Sequence, residues 1–275
     1  MHNAALAILG RADPRFAGWI YLAFDIEAER LPAALGLMGE HGFLGVNLTV
    51  PHKVQAVGLV ASLDPGALEA GAVNTLLREG SGWRGFNTDG YGLATGIREG
   101  LGIELRGTPV VLLGAGGAAR GAAVECLRSG CAGLWILNRT RANRDALLRH
   151  LAPLARGIEV RGVDPEGARS GIPSGALVIN ATSAGLHPGD AAPVDLGTVP
   201  GARAVYDMIY NPPQTPLLAQ AKALGIAHSN GLGMLVHQGA KALEIWTGVA
   251  ASETAPAMRA AAAKALGYGS PPASD

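Results

Sequence analysis

A lysine closes the run G-V-N-L-T-V-P-H-K (residues 45–53), and an aspartate stands within G-F-N-T-D-G (residues 85–90). Each sits where an apolar, strand-like stretch should end. A cation and a carboxylate brought to two strand ends can form an ion pair, a phosphate site or an acid–base dyad. For an isolated pair the surface ion pair is the default. Lys53 follows Pro51, a residue favoured in a first helical turn. There the helix dipole opposes a cation, whereas the Asp89 carboxylate favours it, so the two effects pull the ammonium's proton in opposite directions.

A second chemical feature is G-A-G-G-A-A-R-G (114–121), which follows the apolar run P-V-V-L-L and precedes a helical pattern. In that context Gly114 permits a tight turn and Gly116 lets backbone approach a pyrophosphate. Ala119 fits the position that packs helix on strand, and the helix start offers free N–H groups and positive dipole. The next strand ends in L-W-I-L-N-R-T (134–140). A site for NAD carries Asp or Glu there for the ribose hydroxyls. This chain has Asn138 and Arg139, with Arg141 and Arg144 close behind. Guanidinium groups pair with a 2′-phosphate that a carboxylate would repel, so the chemistry favours NADP. Arg141 and Arg144 read equally well as a solvated helix face.

These residues need elements to carry them. Strand and helix patterns alternate along the chain, as in parallel sheets with crossover helices. Strands are predicted near 19–25, 43–49, 72–77, 83–87, 109–113, 133–137, 176–180 and 204–207. Helices are predicted near 29–41, 51–60, 89–101, 117–129, 141–152 and 215–224, the last stopped by Gly225. A long helix follows G-L-G (231–233), an Ala-rich one covers 255–266, and the polar end G-Y-G-S-P-P-A-S-D is expected to be disordered. The fold class is therefore α/β, in two domains with a boundary near residues 100–107. Ligands are expected at the carboxyl ends of the strands, in a cleft between the domains.

Bulk properties narrow the classes. The chain has 275 residues, 48% hydrophobic and 16% charged, with a formal net charge of +0. That balance argues against a nucleic-acid binder or a polybasic membrane-surface protein. No apolar run approaches transmembrane length, and the opening M-H-N-A-A-L-A-I-L-G lacks the basic start of a secretory signal. Cys126 and Cys131 make no disulfide framework, so a reducing cytoplasm is expected. The histidines are scattered without ligand spacing, so no metal is expected.

Eight motifs then stand in order: G-F-L-G-V-N-L-T-V-P-H-K (42–53), G-A-V-N-T-L (71–76), G-F-N-T-D-G-Y-G (85–92), G-A-G-G-A-A-R-G, N-R-T, N-A-T-S-A-G (180–185), Y-D-M-I-Y-N-P-P-Q-T-P (206–216) and G-L-G-M-L-V-H-Q (231–238). Together they resemble the shikimate dehydrogenase family, over roughly residues 1–250. The resemblance implies an NADP-dependent oxidoreductase that interconverts 3-dehydroshikimate and shikimate in aromatic amino-acid biosynthesis. It implies a substrate-binding domain from 1–100 plus 230–267, whose C-terminal helices pack back on it, and a Rossmann domain from 101–229. Lys53 and Asp89 match the catalytic pair. Thr49, Asn74, Asp89, Tyr210 and Gln238 match substrate contacts. Gly114, Ala115, Gly116, Gly117, Ala118, Asn138, Arg139 and Thr140 match cofactor contacts, with Thr182, Met208 and Gly231 toward the nicotinamide. The implied partners are small molecules, with no nucleic acid or membrane, for a monomer or homodimer.

Two departures stand out. The family pattern N-R-T-x-x-[KR] ends here in Asn143, which leaves Arg141 or Arg144 as substitutes and weakens the preference for NADP over NAD. Family members also begin with a central strand and a Ser-x-Ser-Pro segment that binds the substrate carboxylate. Met1-His2-Asn3 matches the end of that segment, as if the chain started at an internal methionine or were a shortened product. A quinate/shikimate dehydrogenase and a non-catalytic ligand-binding relative remain as alternatives.

Overall fold

The computed structural model describes residues 1–164, 171–199 and 201–268. The chain divides into two compact units, one of Met1–Asp89 with Val236–Asp275, the other of Gly90–Leu235.

The Gly90–Leu235 unit is built on β5 (Pro109–Leu113), β6 (Gly133–Leu137), β7 (Val160–Val163), β8 (Leu177–Asn180), β9 (Ala204–Asp207) and β10 (Ala227–Asn230). All pairings are parallel, in the order β10-β9-β8-β5-β6-β7. The central strands are unbroken apolar runs because both sheet faces are covered. Val110, Leu112, Leu134, Ile136, Leu177, Ile179 and Tyr206 share one core with α6 (Gly117–Arg128) and α7 (Arg141–Leu151). Their alternates Val111, Leu113, Trp135, Leu137, Val178 and Val205 share the other with α8 (Pro216–Ala223). That two-residue alternation between cores is the doubly wound α/β architecture. Gly225, at φ 69°, ends α8 as expected, its N–H donating to the Lys222 carbonyl. Sequence pattern missed β7 and β10. Both are short edge strands, with Arg161 and Gly162 exposed in one and Ala227 and His228 in the other, so neither carries the apolar run that marked the centre.

The other unit has a small sheet, β1 (Gly45–Asn47), β2 (Ser62–Leu63), β3 (Thr75–Glu79) and β4 (Gly82–Phe86), ordered β1-β3-β4-β2. The β1/β3 and β3/β4 pairs are antiparallel and β2/β4 is parallel. Helices α2 (Leu31–Glu40), α3 (His52–Gln55) and α4 (Pro65–Ala70) contribute Leu31, Leu35, Ala56 at the end of α3, and Ala67 to a core with Val73, Leu76 and Trp83. Helix α1 (His2–Ala12) packs on α10 (Ala251–Ala265). Helix α9 (Leu232–Thr247) sends the Trp246 indole N–H to the Leu76 carbonyl at 2.9 Å. Gly45 admits that indole, since a Cβ there would overlap the ring.

Two expectations need correction. Residues 19–25 are extended but pair with no strand; Ile20, Leu22 and Phe24 are exposed. Their alternation looked like a strand, yet Tyr21 finds its backbone partners in one side chain, with Asn3 accepting from its N–H and donating to its carbonyl (2.7 and 2.9 Å). The helix expected over 51–60 is one α-turn, His52–Gln55, followed by a 3-10 turn to Gly58. The tail expected over 268–275 lies, from residue 269, outside the described residues. Among the described residues no helix is long and apolar enough to cross a membrane.

Candidate active site

The Lys53 corner is assembled by backbone first. Leu48 N–H donates to the Asn74 carbonyl at 2.9 Å, and Val73 N–H donates to the Lys53 carbonyl at 2.8 Å. These bonds bring the start of α3 against the chain entering β3. Helix α5 (Asp89–Leu101) then begins at the aspartate, where the positive end of a helix favours a carboxylate. Asn87 fixes that start: its Oδ1 accepts from Asp89 N–H at 3.0 Å and its Nδ2 donates to the Ala72 carbonyl at 3.0 Å.

The side chains meet as the motifs suggested. Lys53 Nζ donates to Asp89 Oδ2 at 2.6 Å, with side-chain exposures of 26% and 22%. The pair is therefore sheltered but reachable. Asp89 Oδ1 accepts from Asn74 Nδ2 at 2.9 Å. Asn74 is buried, and its Oδ1 accepts from Thr88 N–H at 2.8 Å and from the Thr75 hydroxyl at 3.0 Å. A carboxylate held on both oxygens cannot swing, so it fixes the lysine it faces. An ammonium has three donors, and the pair uses one. A hydroxyl placed beside Nζ could exchange its proton there.

Thr49 lies exposed on the turn just before α3, its carbonyl accepting from His52 N–H at 2.9 Å. Gln238 lies on α9 in the same unit, partly buried. Tyr210 follows β9 in the other unit. Sequence reasoning missed Asn47, which donates to the Asn74 carbonyl at 3.1 Å and to the Thr75 hydroxyl at 2.9 Å, and accepts from the Tyr21 hydroxyl at 3.0 Å. It also missed Asn87 and Thr88. Their signal was available, because N-T-D-G is a turn-and-cap pattern before a helix.

In the parallel-sheet unit, β5 runs into Gly114 at φ 110°, where a Cβ would press on the Ala181 carbonyl at 3.0 Å. Gly116 caps α6 without a side-chain bond, and a Cβ on Gly116 or Gly117 would meet nothing within 4 Å. Unused N–H groups under open space fit a pyrophosphate. Ala119 is fully buried, Ala115 partly so, and Ala118 exposed. Thr182 is held by Asn180, whose Oδ1 accepts from Thr182 N–H and hydroxyl at 3.0 and 2.7 Å. Met208 N–H donates to the Asn180 carbonyl at 3.0 Å. Gly231 packs against the Met208 carbonyl where a Cβ would overlap it.

A buried carboxylate unnoticed in the sequence ties these loops. Asp207, fully buried at the end of β9, accepts from Asn180 Nδ2 and Ile209 N–H at 3.0 Å each and from the Thr215 hydroxyl at 2.6 Å. Burial pushes its carboxyl up despite those donors.

The end of β6 departs from expectation. Asn138 Nδ2 donates to the Thr140 carbonyl at 2.8 Å. Arg139 is exposed and joins no ion pair among the described residues. Arg141 and Arg144, the two arginines left to replace a basic residue at 143, are both engaged by Asp164. Arg141 Nη2 donates to Asp164 Oδ2 at 2.8 Å, and Arg144 Nη1 donates to Oδ1 at 2.6 Å. Arg144 also reaches Asp145 at 3.3 Å. The parallel pairing of Leu137 with Val163 sets Asn138 and Asp164 at adjacent strand ends. Hydrogen bonding from Arg144 holds the Asp164 carboxyl below its usual range, while the same bond holds the guanidinium up.

Residues 1–76 match the family described as shikimate dehydrogenase substrate binding domain, and residues 231–263 match shikimate 5′-dehydrogenase C-terminal domain. The chain is 41% identical over 254 residues to a shikimate dehydrogenase (NADP(+)) of Citrifermentans bemidjiense, covering 90% of this chain and 84% of that one. Its structure resembles Thermus thermophilus shikimate 5-dehydrogenase, solved with NADP(H) and shikimate, at 36% identity and TM-score 0.80, covering 94% and 92% of the two chains. It also resembles the ligand-free 5-ketofructose reductase of a Gluconobacter strain, at 32% identity and TM-score 0.78, covering 94% and 92%.

Proposed function

We propose a function from one premise: the chain belongs to the shikimate dehydrogenase family. It is an NADP-dependent oxidoreductase that reversibly reduces 3-dehydroshikimate to shikimate, a step toward chorismate and the aromatic amino acids. The observation that carries this for the chain itself is the 2.6 Å Lys53–Asp89 pair, held by a buried asparagine.

When bound, NADPH would supply the hydride for reduction and NADP⁺ would accept it in oxidation. The protein's part is the proton. In reduction Lys53 Nζ gives a proton to the oxygen that becomes the hydroxyl; in oxidation it takes that proton back. Asp89 keeps the ammonium in place and, with Thr49, Tyr210 and Gln238, binds the substrate hydroxyls, while Asn74, its amide engaged by Asp89, Thr75 and Thr88, acts through Asp89. Amide side chains suit a polyol because each donates and accepts. Residues Gly114–Ala118 cradle the pyrophosphate. Asn138, Arg139 and Thr140 take the adenosine ribose and its 2′-phosphate, and Thr182, Met208 and Gly231 line the nicotinamide side. The open N–H groups above Gly116 and Gly117 and the exposed Arg139, which joins no ion pair among the described residues, support this assignment. The setting is cytoplasmic, as a monomer or homodimer.

A second reading, reduction of another polyhydroxylated ketone, draws on the likeness to the 5-ketofructose reductase. The test is to follow nicotinamide absorbance with shikimate, quinate and 5-ketofructose, each with NADP(H) and NAD(H). The expected result is the highest kcat/KM for shikimate with NADP⁺. A higher value for either other substrate transfers the assignment to it. NADP⁺ binding without turnover of any of them makes the chain a non-catalytic relative.

A further inference from the structure

Arg141 and Arg144 stand one turn apart at the start of α7, yet they differ in freedom. Arg144 has a side chain only 8% exposed and lies across β7, where Gly162 leaves the room: a Cβ there would sit 2.6 Å from its Nε. It is locked between Asp145 and Asp164. Arg141 is 71% exposed and has one described partner, the Oδ2 of an Asp164 that is 44% exposed. A pair this open is weak. A phosphate monoester carries nearly twice the charge of a carboxylate and accepts a guanidinium fork on two oxygens. The Arg141 fork can therefore leave Asp164 for a 2′-phosphate, whereas Arg144 cannot.

We propose that Asp164 is a specificity-determining residue: its Oδ2 competes with the cofactor's 2′-phosphate for Arg141, and this competition sets the discrimination between NADP and NAD. The inference deepens the cofactor assignment made above and rests on it. With NAD there is no competitor, and Arg141 stays on Asp164. With NADP, Arg141 joins Arg139 only by giving up that partner, so part of the gain from the second guanidinium is lost.

The geometry supplies a selective variant. In Asp164→Asn the Oδ1 acceptor remains for Arg144, which can only donate, while the amide –NH₂ replaces the oxygen that held Arg141. Binding is measured without turnover, by calorimetric titration of the whole chain with NADP⁺, NAD⁺ and adenosine 2′,5′-bisphosphate. Asp164→Asn should tighten NADP⁺ and the bisphosphate by about three- to tenfold and leave NAD⁺ within about twofold. Adding Arg141→Ala should abolish the gain. An unchanged NADP⁺/NAD⁺ ratio in Asp164→Asn, or a gain that persists without Arg141, overturns the inference while the cofactor assignment stands. If the wild-type chain binds NADP⁺ and the bisphosphate no better than NAD⁺ and Arg139→Ala changes nothing, both fall together.

Discussion

Lys53 meets Asp89 at 2.6 Å, and Arg144 meets Asp164 at the same distance, yet the two pairs do opposite things. Asp89 has its second oxygen taken by the neutral Asn74, so one cation faces one carboxylate and keeps donors to spare. Asp164 spends each oxygen on a different arginine, and Arg144 is flanked by a second carboxylate as well. The first arrangement presents a charge to a ligand. The second locks Arg144 away and makes Arg141 available only to a ligand that displaces Asp164. The lesson is that a charged residue's availability depends on how its partner's other valences are used. Arg139, with no such partner among the described residues, is the guanidinium left over.

The largest effect that would break this contrast is at Lys53. Replacing it with Ala should lower kcat by about 10²–10⁴, the usual worth of a positioned acid–base group, with NADP⁺ affinity unchanged in direct titration. A drop of only a few-fold would reduce the Lys53–Asp89 pair to an ion pair like the other. Next is Arg139→Ala, which should raise the KM for NADP⁺ by about tenfold, from the loss of a charge-assisted bond. NAD⁺ kinetics should stay flat; an equal rise for both cofactors would place Arg139 elsewhere. Smaller again is Asn74→Ala, measured by urea unfolding. It strips the buried Thr88 N–H of its acceptor and should cost about 1–3 kcal/mol; no loss would mean that water replaces the amide. The smallest is a pH effect at Asp164. Its carboxyl is held low in the folded state, first by the hydrogen bond from Arg144. A depressed folded value adds stability above the ordinary carboxylate range, and that stability disappears as pH falls through the folded value. Asp164→Asn should therefore lower stability slightly at neutral pH, leave strongly acidic pH nearly untouched, and so flatten the acid limb of the stability curve. An acid limb as steep as in the parent would remove Asp164 from the titrating set.

The same contrast explains what sequence could and could not tell. Lys53 and Asp89 lie in the first turns of the helices that follow β1 and β4, and Asn74 immediately precedes β3, each inside a local motif, so residue type and position were enough. The central strands β5, β6 and β8 declared themselves by apolar runs, which only a sheet covered on both faces requires. Asp164 had no such signal. It follows a short edge strand, and its partners lie 20 and 23 residues earlier, so only the β6/β7 register reveals the pair. Asp207 was hidden for the opposite reason: it lies inside a recognised motif whose neighbours drew the attention. Residues 19–25 show the limit of periodicity itself, since alternation says which residues could share a face and not whether a neighbouring strand is there to pair with them.

The most direct test of the central claim, that Lys53 exchanges a proton with the substrate oxygen, is shikimate oxidation by Lys53→Arg. Arginine keeps the positive charge and can pair with Asp89, but it does not release its proton in a protein. The account predicts that turnover falls as far as in Lys53→Ala while NADP⁺ still binds. An arginine variant that keeps most of the parent's turnover would contradict it and leave Lys53 only an electrostatic role.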